Sequence, residues 1–72
     1  MLKGTIIGFQ VNPITGVLLG ILRPDVGLDL FFNTPDNPGK FSRGTRVLFS
    51  VSAVGSPDYS GGAQIAVNVT AM

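Results

Sequence analysis

The residues of this chain that could do chemistry are few. It contains no His, no Cys and no Glu, which removes the usual general base near neutral pH, thiolate chemistry, disulfides and most zinc sites. Ser42, Ser50, Ser52, Ser56 and Ser60 have no evident base to take a proton from them. Asp25, Asp29, Asp36 and Asp58 are scattered over turns and strands. An Asp at the start of a turn commonly bonds its own backbone, so these four are expected to serve turns rather than a metal. The sequence therefore predicts a protein that is not an enzyme and that carries no metal or other cofactor. What remains is binding. Lys3, Arg23, Lys40, Arg43 and Arg46 can each neutralise a phosphate, although they serve equally as an ordinary solvated surface. The formal charge is only +1, with no run of like charge, so charge alone argues weakly about partners.

These groups must be positioned by strands. With 44% hydrophobic and 12% charged residues, the chain has the composition of a folded domain and not of a disordered one. Its 72 residues suffice for one domain, 1–72, whose margin of stability is small enough for oligomers to help. Met1-Leu2-Lys3-Gly4 leads into an alternating β-branched stretch and not an apolar signal core, and no run approaches a membrane span. A cytoplasmic protein with no membrane partner is the expectation.

Thr5–Val11 is rich in β-branched and aromatic residues, and Asn12–Gly16 behind it has turn chemistry. Val17–Leu22 reads as a second strand halted by Arg23-Pro24-Asp25, because Pro lacks a ladder donor. Gly20 inside it predicts a bend, a bulge or the close approach of another group. Leu28–Asn33 reads as a third strand, followed by Thr34–Gly39, a loop expected to hold no helix. In Arg46–Ser52, Val47, Phe49 and Val51 fall on one face by strict alternation. Gly55–Gly62 reads as a flexible connection without the Lys or helix of a phosphate loop, and Gln64–Thr70 as a fifth strand. Five short strands with Gly- and Pro-rich turns give an all-β fold, with OB-like and SH3-like barrels nearly level on pattern alone. Ile6, Phe9, Leu22, Leu30, Phe32, Val47, Phe49, Val51, Ala66 and Val69 are the expected core.

Two blocks bear a family resemblance. Phe41–Val51 resembles the apolar-x-x-Gly-x-x-Val-x-Phe-x-Val of the bacterial cold-shock domain family, and Ala66–Thr70 its closing Ala-x-Asn-Val-Thr. Lys3-Gly4-Thr5-Ile6 and Asp29-Leu30-Phe31-Phe32 are similar to its opening and to its second ribonucleoprotein motif. The resemblance implies a small five-stranded antiparallel OB-fold barrel, cold-shock-like, that binds single-stranded RNA or DNA by stacking bases on aromatic side chains. Most of those aromatics are replaced. The strand-one Trp of the family meets Gly8, the two aromatics of its first motif meet Leu19 and Ile21, and the motif Lys meets Val17. Phe31 is retained, whereas the following His becomes Asn33, the next aromatic Thr34, and the loop aromatic falls near Pro38. The expected nucleic-acid contacts are therefore Phe31, Leu19, Ile21 and Asn33, with Lys3, Arg43 and Arg46 on phosphates. Ile7, Leu19, Ile21 and Phe31 together would form an outward aliphatic patch. The alternative is that this patch contacts protein, most simply another copy in a homo-oligomer.

Overall fold

The computed structural model describes residues 1–37, 39–52 and 64–72. Five strands, β1 (Leu2–Val11), β2 (Leu18–Pro24), β3 (Leu30–Asn33), β4 (Arg46–Val51) and β5 (Ala66–Ala71), form one antiparallel sheet in the order β3-β2-β1-β4-β5. The fold is thus all-β. The expected closed barrel is corrected: the edge strands β3 and β5 touch, but among the described residues no ladder joins them and the sheet is not closed. β3 has only four residues to offer.

Pro24 does not halt β2 but pairs with Gly4 as its last residue. Asp25 donates its N–H to the Lys3 carbonyl at 2.9 Å, so the neighbouring nitrogen of Pro24 faces the other side. There β3 has not begun, and no ladder bond is lost. β3 starts later than its sequence pattern suggests because residues 25–27 bend around Gly27, at φ 113°, and Leu28 and Asp29 lie outside the strand. The loop after β3, expected to be free of helix, contains one 3-10 turn, Thr34–Asp36, with Pro35 in its first positions, where a missing N–H is tolerated. Gly55–Gly62, with Ser56, Asp58 and Ser60, lies outside the described residues, as does Pro38.

Ile6, Leu22, Phe32, Val47, Phe49, Ala66 and Val69 form a single buried cluster, with Leu30, Phe41 and Val51 packed against it. Phe9 is corrected out of this core: it is 38% exposed. A bulge between Ile6 and Gly8 leaves Phe9 opposite Gly20 and Val11 opposite Leu18, on the side of the sheet that carries Leu22. β4, however, pairs with β1 only over Leu2–Thr5, so the far half of the β1–β2 hairpin overhangs and Phe9 has little to pack on. Gly20 is explained by close approach, because a Cβ there would lie 2.1 Å from Cζ of the buried Phe32 ring. Among the described residues no helix is long and apolar enough to cross a membrane.

Candidate nucleic-acid interface

Alternation along the strands puts the predicted contacts on the face away from the core. Leu22 and Phe32 point into the cluster, so Ile21 on β2 and Phe31 on β3 point out. They are directly opposed across the ladder, as are Leu19 and Asn33 one step further on. Gly8 lies opposite Ile21 on β1, and Gln10 opposite Leu19. The sheet thus brings Leu19, Ile21, Phe31 and Asn33 together in two adjoining rows.

Their exposure is uneven. Ile7, Ile21, Phe31 and Asn33 are half-buried. Leu19 is corrected as a contact surface: it is only 5% exposed, yet stands apart from the core cluster. A base could rest on the Ile21–Phe31 pair, but not on Leu19, and the Asn33 Oδ1 beside it is buried. The pair offers one aromatic ring where generic stacking uses several, and an aliphatic neighbour adds contact without a π-face.

The cations divide into two groups. Arg46 is held: Nη1 and Nη2 donate to Asp25 Oδ1 and Oδ2 at 2.7 and 2.8 Å, and Nη1 also to Thr5 Oγ1 at 2.8 Å. Arg23 likewise donates from Nε and Nη2 to Asp29 Oδ1 and Oδ2 at 3.0 and 3.3 Å. To reach a phosphate, Arg46 would have to exchange Asp25 for it. The reading of Asp25 and Asp29 as acids that bond their own turns is corrected, because each accepts a two-pronged guanidinium instead. Among the described residues Lys3, Lys40 and Arg43 make no ion pair. Lys3 shares the outer face with Thr5, whereas Arg43 stands in the turn before β4, next to Gly44 at φ 90°.

The Arg46–Asp25 pair has a measurable signature. Hydrogen bonds from Arg46, opposed by desolvation and aided to a lesser degree by the charges of Arg46 and Lys3, hold the Asp25 carboxyl below its ordinary value. A carboxylate whose folded-state pKa is depressed stabilises the fold above its unfolded-state pKa, and that contribution is lost as pH falls through the folded value. The pair is exposed, so salt screens it and the contribution is small. An NMR titration of the Asp25 carboxyl should give a midpoint below the ordinary range that returns to it in Arg46→Ala. An unchanged midpoint in the variant would contradict the pairing.

Sequence reasoning missed Thr5 and Asp25, which hold Arg46, and Asn37, which is buried just after the 3-10 turn that follows β3. None had a local signal for these roles, because the bonds that matter, Thr5 and Asp25 to Arg46 and Asn37 to Val69, span the chain. Among the described residues no three of His, Cys, Asp and Glu stand together as metal ligands. Exposed apolar side chains collect instead at the sheet's two ends. Phe9, Val11, Ile14 and Leu18 lie on the β1–β2 hairpin, and Leu2, Val26 and Leu28 line a groove of about 430 Å³ that reaches Phe49 and Val51. Comparison with known protein families, with curated proteins and with solved structures finds no match.

Proposed function

We propose that the chain is a small, cold-shock-like OB domain, not an enzyme, which binds single-stranded RNA or DNA weakly on the outer face of β2 and β3. The observation that carries this reading is the opposed Ile21–Phe31 pair on the face away from the core, flanked by Asn33. The topology supports it. β1 is shared between β2 and β4, and the edges β3 and β5 meet, an arrangement compatible with the partly open five-stranded OB barrel. In that fold the face of strands two and three takes oligonucleotides. Lys3 and Arg43 supply the phosphate contacts, Arg46 being engaged by Asp25.

A salt titration with labelled oligonucleotides tests the proposal. Two phosphate contacts predict a modest slope, roughly −1 to −2 in log K against log salt. Phe31→Ala should weaken binding about tenfold, within the range for one stacked base. Absence of binding at low ionic strength, or binding indifferent to Phe31→Ala, would sink the idea.

A second reading, a protein-interaction or self-assembly module, draws on a different observation from the one expected. Leu19 in the aliphatic patch is buried, whereas Phe9, Val11, Ile14 and Leu18 on the hairpin are exposed. Contiguous exposed apolar groups often mark a partner surface.

A further inference from the structure

The edges of this sheet meet without a ladder, and one side chain spans the seam. Asn37 is 5% exposed. Its Nδ2 donates to the Asn33 carbonyl at 2.8 Å, and its Oδ1 accepts the Val69 N–H at 2.9 Å. Both halves of a buried amide are therefore satisfied, one by the end of β3 and the other by β5, as burial of a polar group requires.

The Val69 N–H is available for a reason. The β4–β5 register shifts between Leu48 and Ser50, so Asn68 and Val69 together oppose Phe49. Asn68 takes φ 54° there, a left-handed conformation that Asn tolerates better than most residues. The bulge withdraws Val69 from regular pairing, and its N–H turns to Asn37 instead. On the other flank, Thr34 Oγ1 donates to the Leu18 carbonyl on β2 at 2.7 Å. The turn after β3 is thus fastened to β2 at its start and to β5 at its end.

We infer that Asn37 is a positioning residue: by closing the seam between β3 and β5 it fixes the end of β3, and with it Phe31 and Asn33, in the candidate nucleic-acid face. The inference rests on the reading of that face for its functional half only. Among the described residues β3 has a single ladder partner, β2; its other edge meets β5 only through side-chain packing and through Asn37, which hydrogen-bonds both strands.

Amide exchange by NMR on the full chain, together with oligonucleotide binding, tests this. In the wild type the Val69 amide should be protected. In Asn37→Ala it should exchange about tenfold faster, as for loss of one local hydrogen bond, while the Ile6 amide, which donates to Thr45 O at 2.9 Å, keeps its protection. The Phe31 ring resonances should shift in the variant and the oligonucleotide affinity fall several-fold. An unprotected Val69 amide in the wild type, unchanged Val69 exchange in Asn37→Ala, or unmoved Phe31 resonances would overturn the inference. If Asn37→Ala does not fold, Asn37→Asp decides. It keeps an oxygen for Val69 but sets another against the Asn33 carbonyl, so Val69 should stay protected while the Phe31 and Asn33 resonances move, and their failure to move would overturn it. If the wild type binds no oligonucleotide, the nucleic-acid reading fails, and the exchange and ring-shift measurements still decide whether Asn37 fixes β3.

Discussion

Phe49→Ala is expected to unfold the domain. Phe49 is fully buried near the middle of β4, among the largest side chains of the core cluster. Its ring lies close against Gly4 of β1, where a Cβ would stand 3.2 Å from Phe49 Cε1. Across β5 it faces the Asn68–Val69 bulge. Phe49 therefore sits in one buried cluster with Ile6 of β1 and with Ala66 and Val69 of β5, and its truncation opens a cavity among them. Truncating a buried Phe to Ala costs about 3–5 kcal/mol. A chain of this length has a total stability of the order of 4–11 kcal/mol, so the loss removes much or all of it. Thermal unfolding followed by circular dichroism should give a transition near or below room temperature, or none. A shift of only a few degrees would contradict the central position assigned to Phe49.

Gly20→Ala should approach that effect from the opposite direction, by overfilling. The added methyl would lie 2.1–2.7 Å from three atoms of the Phe32 ring, inside any tolerable contact. Phe32 cannot step aside freely, because it is fully buried and packs edge-to-face on Phe41, with centroids 5.4 Å apart and planes at 77°. Removing a Gly from a strand would otherwise favour folding by about 0.5–1 kcal/mol. Overpacking costs about 1–3 kcal/mol or more, and a displaced aromatic pair adds roughly 0.5–1.5 kcal/mol, so the clash prevails. The urea midpoint should fall markedly in Gly20→Ala. Because the two sites share one volume, Gly20→Ala combined with Phe32→Leu should cost less than the sum of the single changes. Additive effects would mean that the ring does not occupy the space over Gly20.

How much of this was legible in the sequence differs from element to element. β4 was read correctly because Val47, Phe49 and Val51 obey strict alternation over a strand with neighbours on both sides. Gly20 was legible only as a bend, a bulge or a close approach, and it took the assembled sheet to single out the last, with Phe32 as the occupant. Phe9 was misread because its burial depends on where β4 stops along β1, which no local pattern records. The site divides in the same way. Alternation within β2 and β3 is enough to bring Ile21 and Phe31 outward together. The Arg46–Asp25 pair and the Asn37–Val69 bond join residues 21 and 32 positions apart, and they exist only because the sheet brings its strands together in this order. The burial of Leu19, on a face where its neighbours Ile21 and Phe31 stay half-exposed, is likewise a property of the assembled surface and not of the strand that carries it.

The proposal that the face around Ile21 and Phe31 takes single-stranded nucleic acid is tested most directly by backbone amide shifts recorded while an oligonucleotide is added at low salt. The account predicts saturable perturbations centred on Ile21, Phe31 and Asn33 and extending to Lys3 and Arg43, reversed by added salt. Absence of perturbation would contradict it. So would shifts confined to Phe9, Val11, Ile14 and Leu18 that follow protein concentration and not oligonucleotide, which would mark the hairpin as a contact between copies of the chain.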